Sequence, residues 1–115
     1  MDVIETFAAL AEPSRFRIVE LLRSGPRPVN DIGQRLKLTQ PQVSKHLRAL
    51  KSAGLVAAEP RAQQRFYQLQ AGPLRAMDQW LDTYRALWDE RFQALDAIID
   101  ELKTKETTHG RRRKR

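Results

Sequence analysis

A chain of 115 residues that is 41% hydrophobic and 30% charged can bury one modest core, and it leaves little room for the two halves of a deep-clefted enzyme. It has no cysteine, which excludes disulfides, thiolate metal ligands and thiol nucleophiles, and no run approaches the roughly 18 apolar residues that span a bilayer. A net charge of +7 and a pI near 10.4 point to a polyanionic partner.

The charge is unevenly placed. Residues 13–72 hold eleven bases against three acids and residues 103–115 hold seven against one, while residues 73–102 hold three bases against seven acids. The first residues, "MDVIETFAAL", contain no basic segment followed by an apolar one, so a soluble, cytoplasmic protein is expected.

Ile4, Phe7, Ala8 and Ala11 recur at helical spacing and predict a short first helix with an acidic polar side. A second helix begins at Pro13, in "PSRF", packs Ile18, Val19, Leu21 and Leu22 inward and stops at Gly25. "GPRP" reads as a break. "VNDIGQRL" predicts a third helix burying Val29, Ile32 and Leu36, and "KLT" turns the chain into a fourth.

The fourth helix lies in "QPQVSKHLRALKSAGLV". Val43, Leu47 and Leu50 form its apolar stripe, and Gly54 ends it. Thr39 and Gln42 have the spacing of a capping box, although Pro41 disfavours helical geometry at Gln40 and leaves a cap one residue later as the alternative. In either register Pro41 marks a start, because the N–H it lacks would have had no intrahelical partner.

Leu55 and Val56, then Phe66, Tyr67 and Leu69, read as two strands of a hairpin with "EPRAQQ" at its tip. After the spacer "AGP", the residues Leu74, Met77, Leu81, Tyr84, Trp88, Leu95, Ile98 and Leu102 recur every three or four positions, with Arg91 interrupting the seam. Some thirty residues at about 1.5 Å each make a rod of roughly 45 Å, far longer than the ~13 Å radius of gyration of a compact domain this size. An identical helix from a second chain is the simplest cover for its apolar side, so a homodimer is expected, with Ile4 and Phe7 joining that seam. Packing accounts for Trp80, Tyr84 and Trp88, with a pocket for an unidentified small-molecule inducer as the alternative. The expected domain is 1–103, and 104–115 is expected to be a disordered basic tail.

Two short helices joined by a tight turn, followed by a basic hairpin, make a helix-turn-helix with a wing. A major groove admits a helix whose amide, hydroxyl and cationic side chains match base edges. Thr39, Gln40, Gln42, Ser44 and Lys45 supply that chemistry near the start of the fourth helix, and His46 is divided between base, phosphate and scaffold. Arg48, Lys51, Arg61 and Arg65, with Gln64 beside them, suit the phosphate backbone and the wing. The expected partner is double-stranded DNA, with charge-only binding to nucleic acid as the alternative. No nucleophile and base constellation, phosphate-cradling glycine loop or paired carboxylate suggests an enzyme. Asn30, Asp31, Asp78 and Asp82 read as solvated faces and not as an oxygen-donor metal site.

"EPSRFRIVELL", "QPQVSKHLRALKSAGLV" and "RFYQLQ" resemble the ArsR/SmtB family of winged helix-turn-helix repressors, most clearly in Ser44, His46, Leu47, Leu50, Gly54, Leu55 and Val56. The resemblance implies a mainly α fold with a small β-hairpin wing, helical dimerisation through the first and last helices, DNA contact at Gln40, Gln42, Ser44 and Lys45, and a wing arginine at Arg61 or Arg65. It also implies a repressor acting on a pseudo-palindromic operator. The chain departs from the family's metal sensors. Pro28, Val29 and Asn30 stand where some carry a Cys-x-Cys pair, and Asp78, Gln79 and Trp80 stand where others carry Asp-x-His. No metal and no cofactor is therefore expected.

Overall fold

The computed structural model describes residues 2–107, with side chains up to residue 104. The chain divides into a first unit, Met1–Gln79, and a second that begins at Trp80.

Helix α1 (Val3–Ala11) starts at Asp2, whose carboxylate accepts the Ile4 N–H at 3.1 Å. Helix α2 (Pro13–Leu22) follows after Glu12, which caps it by accepting the Arg15 N–H at 2.9 Å. Arg15 Nε donates back to the Ala9 carbonyl at 2.8 Å, so the end of α1 and the start of α2 share one set of hydrogen bonds. On α1 it is Thr6 and Ala9 that are buried, while Ile4 is 73% and Phe7 38% exposed. Thr6 is tolerated inside because its hydroxyl donates to the Asp2 carbonyl at 3.4 Å. The apolar stripe read from the sequence therefore faces outward.

The expected break "GPRP" contributes a strand. In β1 (Arg27–Pro28), Arg27 pairs with Tyr67 and Pro28 with Phe66. Two residues carry no alternation, so periodicity could not reveal it.

Helix α3 (Val29–Leu36) and helix α4 (Gln40–Ser52) form the helix-turn-helix. The chain leaves α3 through Lys37, in the left-handed region at φ 59°, and the Leu38 N–H donates to the Gly33 carbonyl at 2.9 Å. That path carries the Leu38 carbonyl across Gly33, where a Cβ would sit 2.9 Å from the Leu38 oxygen and 3.6 Å from a Val43 methyl. The turn can be this tight because residue 33 has no side chain.

At the start of α4, the Thr39 hydroxyl accepts the Gln42 N–H at 3.3 Å and the Gln42 Oε1 accepts the Thr39 N–H at 2.8 Å. Of the two registers open in the sequence, the cap takes Thr39. At the far end the Leu55 N–H donates to the Leu50 carbonyl and the Gly54 N–H to Lys51, with Gly54 at φ 77°. That is a Schellman closure, which needs the left-handed conformation glycine adopts freely. Between the caps Val43, Leu47 and Leu50 are buried and join Ile18, Val19, Leu22, Ile32, Leu55 and Val56 in the core. Each such side chain contributes about 1.5–3 kcal/mol on burial.

Strands β2 (Val56–Arg61) and β3 (Gln64–Leu69) pair antiparallel from Val56↔Leu69 to Arg61↔Gln64, in a sheet of order β1-β3-β2. The tip is Ala62 and Gln63 alone, with Ala62 at φ 54°, so most of the expected loop "EPRAQQ" is strand. Pro60 pairs with Arg65 inside β2. As an edge strand, β2 can take a residue without an N–H and lose little of its ladder.

Helix α5 (Ala71–Thr107) absorbs the expected spacer "AGP" as its first turn and runs past residue 103, where the tail was expected to begin. Residues 108–115, the rest of that basic tail, lie outside the described residues. Leu74, expected on the dimer seam, is half-buried against the core of its own chain. The same three-and-four spacing serves either kind of burial, so the sequence could not separate them.

Replacing Gly33 with alanine adds about 1 kcal/mol of helix propensity but forces a backbone oxygen aside, and overpacking of that kind costs typically 1–3 kcal/mol. Gly33→Ala should therefore lower the thermal midpoint. An unchanged or higher midpoint would show that the turn can move.

Candidate nucleic-acid interface

Burial of Val43, Leu47 and Leu50 sets the roll of α4 and so decides which polar residues face solvent. Gln40, Gln42, Lys45, Arg48 and Lys51 are exposed, and Ser44 is half-buried on the flank. His46 lies apart from this face, its side chain only 12% exposed and turned toward Glu12. On the hairpin, Arg61, Gln64 and Arg65 are all exposed.

These residues differ in how free they are. The Gln42 carbonyl oxygen and the Thr39 hydroxyl are engaged in the cap, which leaves the Gln42 NH₂ as the group available to a partner. Arg61 lies over the Phe66 ring, 4.8 Å from its centroid, and reaches Glu59 at 3.5 Å. Arg65 makes no ion pair among the described residues, which makes it the freer arginine of the wing.

Gln40, Gln64 and Arg65 meet in an open cleft of about 270 Å³ lined also by Pro28, Val29 and Asn30. The start of α3, the start of α4 and the hairpin thus share one concave surface bearing amides and a guanidinium. Asn30 belongs to this set, although spacing alone gave no signal for it. It lies well away from α4 in the sequence, and only the fold brings it there.

The acids of the first unit are largely occupied. Glu20 pairs with Arg23 at 2.9 Å, Glu59 with Arg61, and Asp31 takes both Arg27 at 2.7 Å and Arg35 at 3.1 Å. The hydrogen bond from Arg27, followed by that from Arg35, holds the Asp31 carboxyl below its usual range. The Arg15 backbone N–H does the same for Glu12, with a smaller contribution from His46. Lys45, Arg48 and Lys51 have no acid partner among the described residues, so the positive charge on α4 is available to an external anion.

The second unit presents a different surface. Along its part of α5, Trp80, Tyr84, Leu87, Trp88, Phe92, Leu95, Ile98, Ile99 and Leu102 are all exposed apolar side chains, while Leu81 is half-buried, as is Met77 near the end of the first unit. The Trp80 and Tyr84 rings lie 5.0 Å apart at 60°. Trp80, Leu87, Phe92 and Ile99 make this face wider than the seam read from the sequence.

Residues 12–58, which hold α2, α3 and α4, match the family model described as "Bacterial regulatory protein, arsR family". The HTH-type transcriptional regulator Rv2034 of Mycobacterium tuberculosis is 37% identical over 92 residues, covering 80% of this chain and 83% of its own. The chain belongs to the ArsR family. Two solved structures support the same assignment. One is an ArsR-like transcriptional regulator from Rhodococcus sp. RHA1, with TM-score 0.68 and 27% identity over 84% of this chain and 91% of that one. The other is the homodimeric winged helix-turn-helix DNA-binding domain Mb0332 from Mycobacterium bovis, with TM-score 0.60 and 30% identity over 71% and 79%. As an ArsR-family protein the chain is a winged helix-turn-helix transcriptional regulator and not an enzyme. Among the described residues no helix is long and apolar enough to cross a membrane.

Thr39→Ala removes one half of the capping box and should cost about 1 kcal/mol of stability. Urea denaturation would read the loss as a lower midpoint with an unchanged slope. No shift would mean that the box does not hold the start of α4.

Proposed function

We propose that this regulator is a cytoplasmic homodimeric repressor that reads a pseudo-palindromic operator in duplex DNA. The observation that carries the reading is the exposed face of α4, where amides at Gln40 and Gln42 stand beside Lys45, Arg48 and Lys51, cations with no acid partner among the described residues. Gln40 makes no side-chain hydrogen bond among the described residues, so its whole amide can meet a base edge. Gln42, with its oxygen in the cap, offers donors, which suits guanine O6 and N7 or thymine O4. Ser44 reaches a base from the flank, and Lys45 adds a charge within the same turn. Arg48, Lys51, Arg61 and Arg65 bind phosphates, with Gln64 beside them. Occupying a promoter is then enough to repress, with no chemistry required of the protein.

Dimerisation is supported by the exposed α5 face, since helices in proteins draw most of their stability from packing an apolar face and large apolar patches mark interfaces. Leu81, Tyr84, Trp88, Leu95, Ile98 and Leu102 form the seam, and Ile4 and Phe7 on α1 offer a second apolar stripe. Metal does not act through the family's cysteine or histidine positions, because this chain has no cysteine and its two histidines are His46 and His109. His46 faces Glu12, and His109 lies outside the described residues.

The test uses an operator recovered from random duplex DNA. Gln40→Ala combined with Ser44→Ala changes no charge, and a good base contact is worth about 1–3 kcal/mol. The variant should bind the operator at least about tenfold more weakly while keeping its affinity for random DNA. Equal losses on both would mean that α4 does not read bases. Separately, Leu81→Glu with Trp88→Glu should give monomers by sedimentation, and a persistent dimer would exclude the α5 seam.

A further inference from the structure

His46 belongs to α4 but points away from the DNA-facing side, and its Nδ1 is buried with no hydrogen-bond partner. A buried polar nitrogen left unmet is costly, and such groups call for a reason. The Glu12 Oε1 stands 3.8 Å from it, beyond hydrogen-bond range by several tenths of an ångström. Glu12 cannot drift freely. Its carboxylate accepts the Arg15 N–H at 2.9 Å, and the Arg15 guanidinium is anchored on the Ala9 and Ala8 carbonyls at 2.8 and 3.4 Å. The α1–α2 corner therefore presents a fixed acceptor to a donor carried by the recognition helix. An imidazole nitrogen facing a carboxylate carries its hydrogen, since two acceptors would repel each other.

We infer that Glu12 and His46 form a latch that positions α4, in which the Nδ1–H donates to the Glu12 carboxylate when the helix seats on its operator. His46 is on this account a positioning residue and not a base contact. The latch acts where the core leaves freedom. Val43, Leu47 and Leu50 decide which side of α4 turns inward, and because apolar contacts are not directional they supply no directional tie along its slide. A charged hydrogen bond at one point on the helix selects one slide position, and with it the places of Gln40 and Gln42 against the bases.

The inference rests on the base-reading proposal above. Three variants test it on the selected operator and on random duplex of equal length. His46→Asn keeps a donor close to the place of Nδ1, His46→Gln puts one near the place of Nε2, and His46→Leu keeps volume with no donor. A lost hydrogen bond to a charged group corresponds to about tenfold in affinity or more. The Leu and Gln variants should lose about that much on the operator and less than about twofold on random DNA, while Asn should stay near wild type. If the Leu variant melts too low to use, the Asn and Gln pair decides, because both are neutral amides and differ only in reach. Equal operator affinity for Asn and Gln, or a Leu variant that matches wild type, overturns the latch while leaving base reading in place. A wild-type chain that prefers no sequence overturns base reading and takes the latch with it.

Discussion

The roll of α4 about its own axis is set by Val43, Leu47 and Leu50, all buried in the core, and the outward chemistry of the chain depends on that angle. One residue of slippage is a turn of about 100° for a helix of 3.6 residues per turn, enough to replace Gln42, Lys45 and Arg48 on the outer face with core-side neighbours. The tight passage over Gly33 and the caps at Thr39 and Gly54 fix where the helix begins and ends. Rotation and position along the chain are thus defined by separate interactions, and both must hold for the same amides to face outward.

Economy of charge shapes the same surface. The acids of the central segment are matched internally with Arg23, Arg27, Arg35 and Arg61, which leaves the cations of α4 with no acid partner among the described residues. Gln42 shows a trade within one side chain, since its oxygen stabilises the helix start and only its NH₂ is left for recognition. On the proposed reading Gln42 has both jobs and couples stability to specificity, so substitutions there would disturb the two together.

Much of this was legible in the sequence. The spans of α3 and α4, the Thr39–Gln42 box and the Gly54 stop follow from local rules that tertiary context did not override. What was hidden depended on contacts distant in sequence. β1 is too short to show alternation, and it exists because β3 offers it a partner. Pro60 falls in the expected tip "EPRAQQ" but lies inside β2, where the edge position makes it harmless. Leu74 and Leu81 share one heptad pattern, yet the first packs against its own core, a distinction periodicity cannot draw. The inward turn of His46 and the arrival of Asn30 beside Arg65 likewise need the folded chain, because no spacing rule relates Glu12 to His46 or Asn30 to Gln64.

We propose that the outward face of α4 reads bases in duplex DNA, and does so twice, once from each protomer. Selection of bound fragments from a random duplex pool at physiological salt tests it most directly. The expected result is an enriched sequence with two inverted half-sites whose centres lie about 10–10.5 base pairs apart, or a multiple of that spacing. A pool that is retained in proportion to its length, with no sequence enriched, would contradict it and leave only attraction between a basic protein and a polyanion.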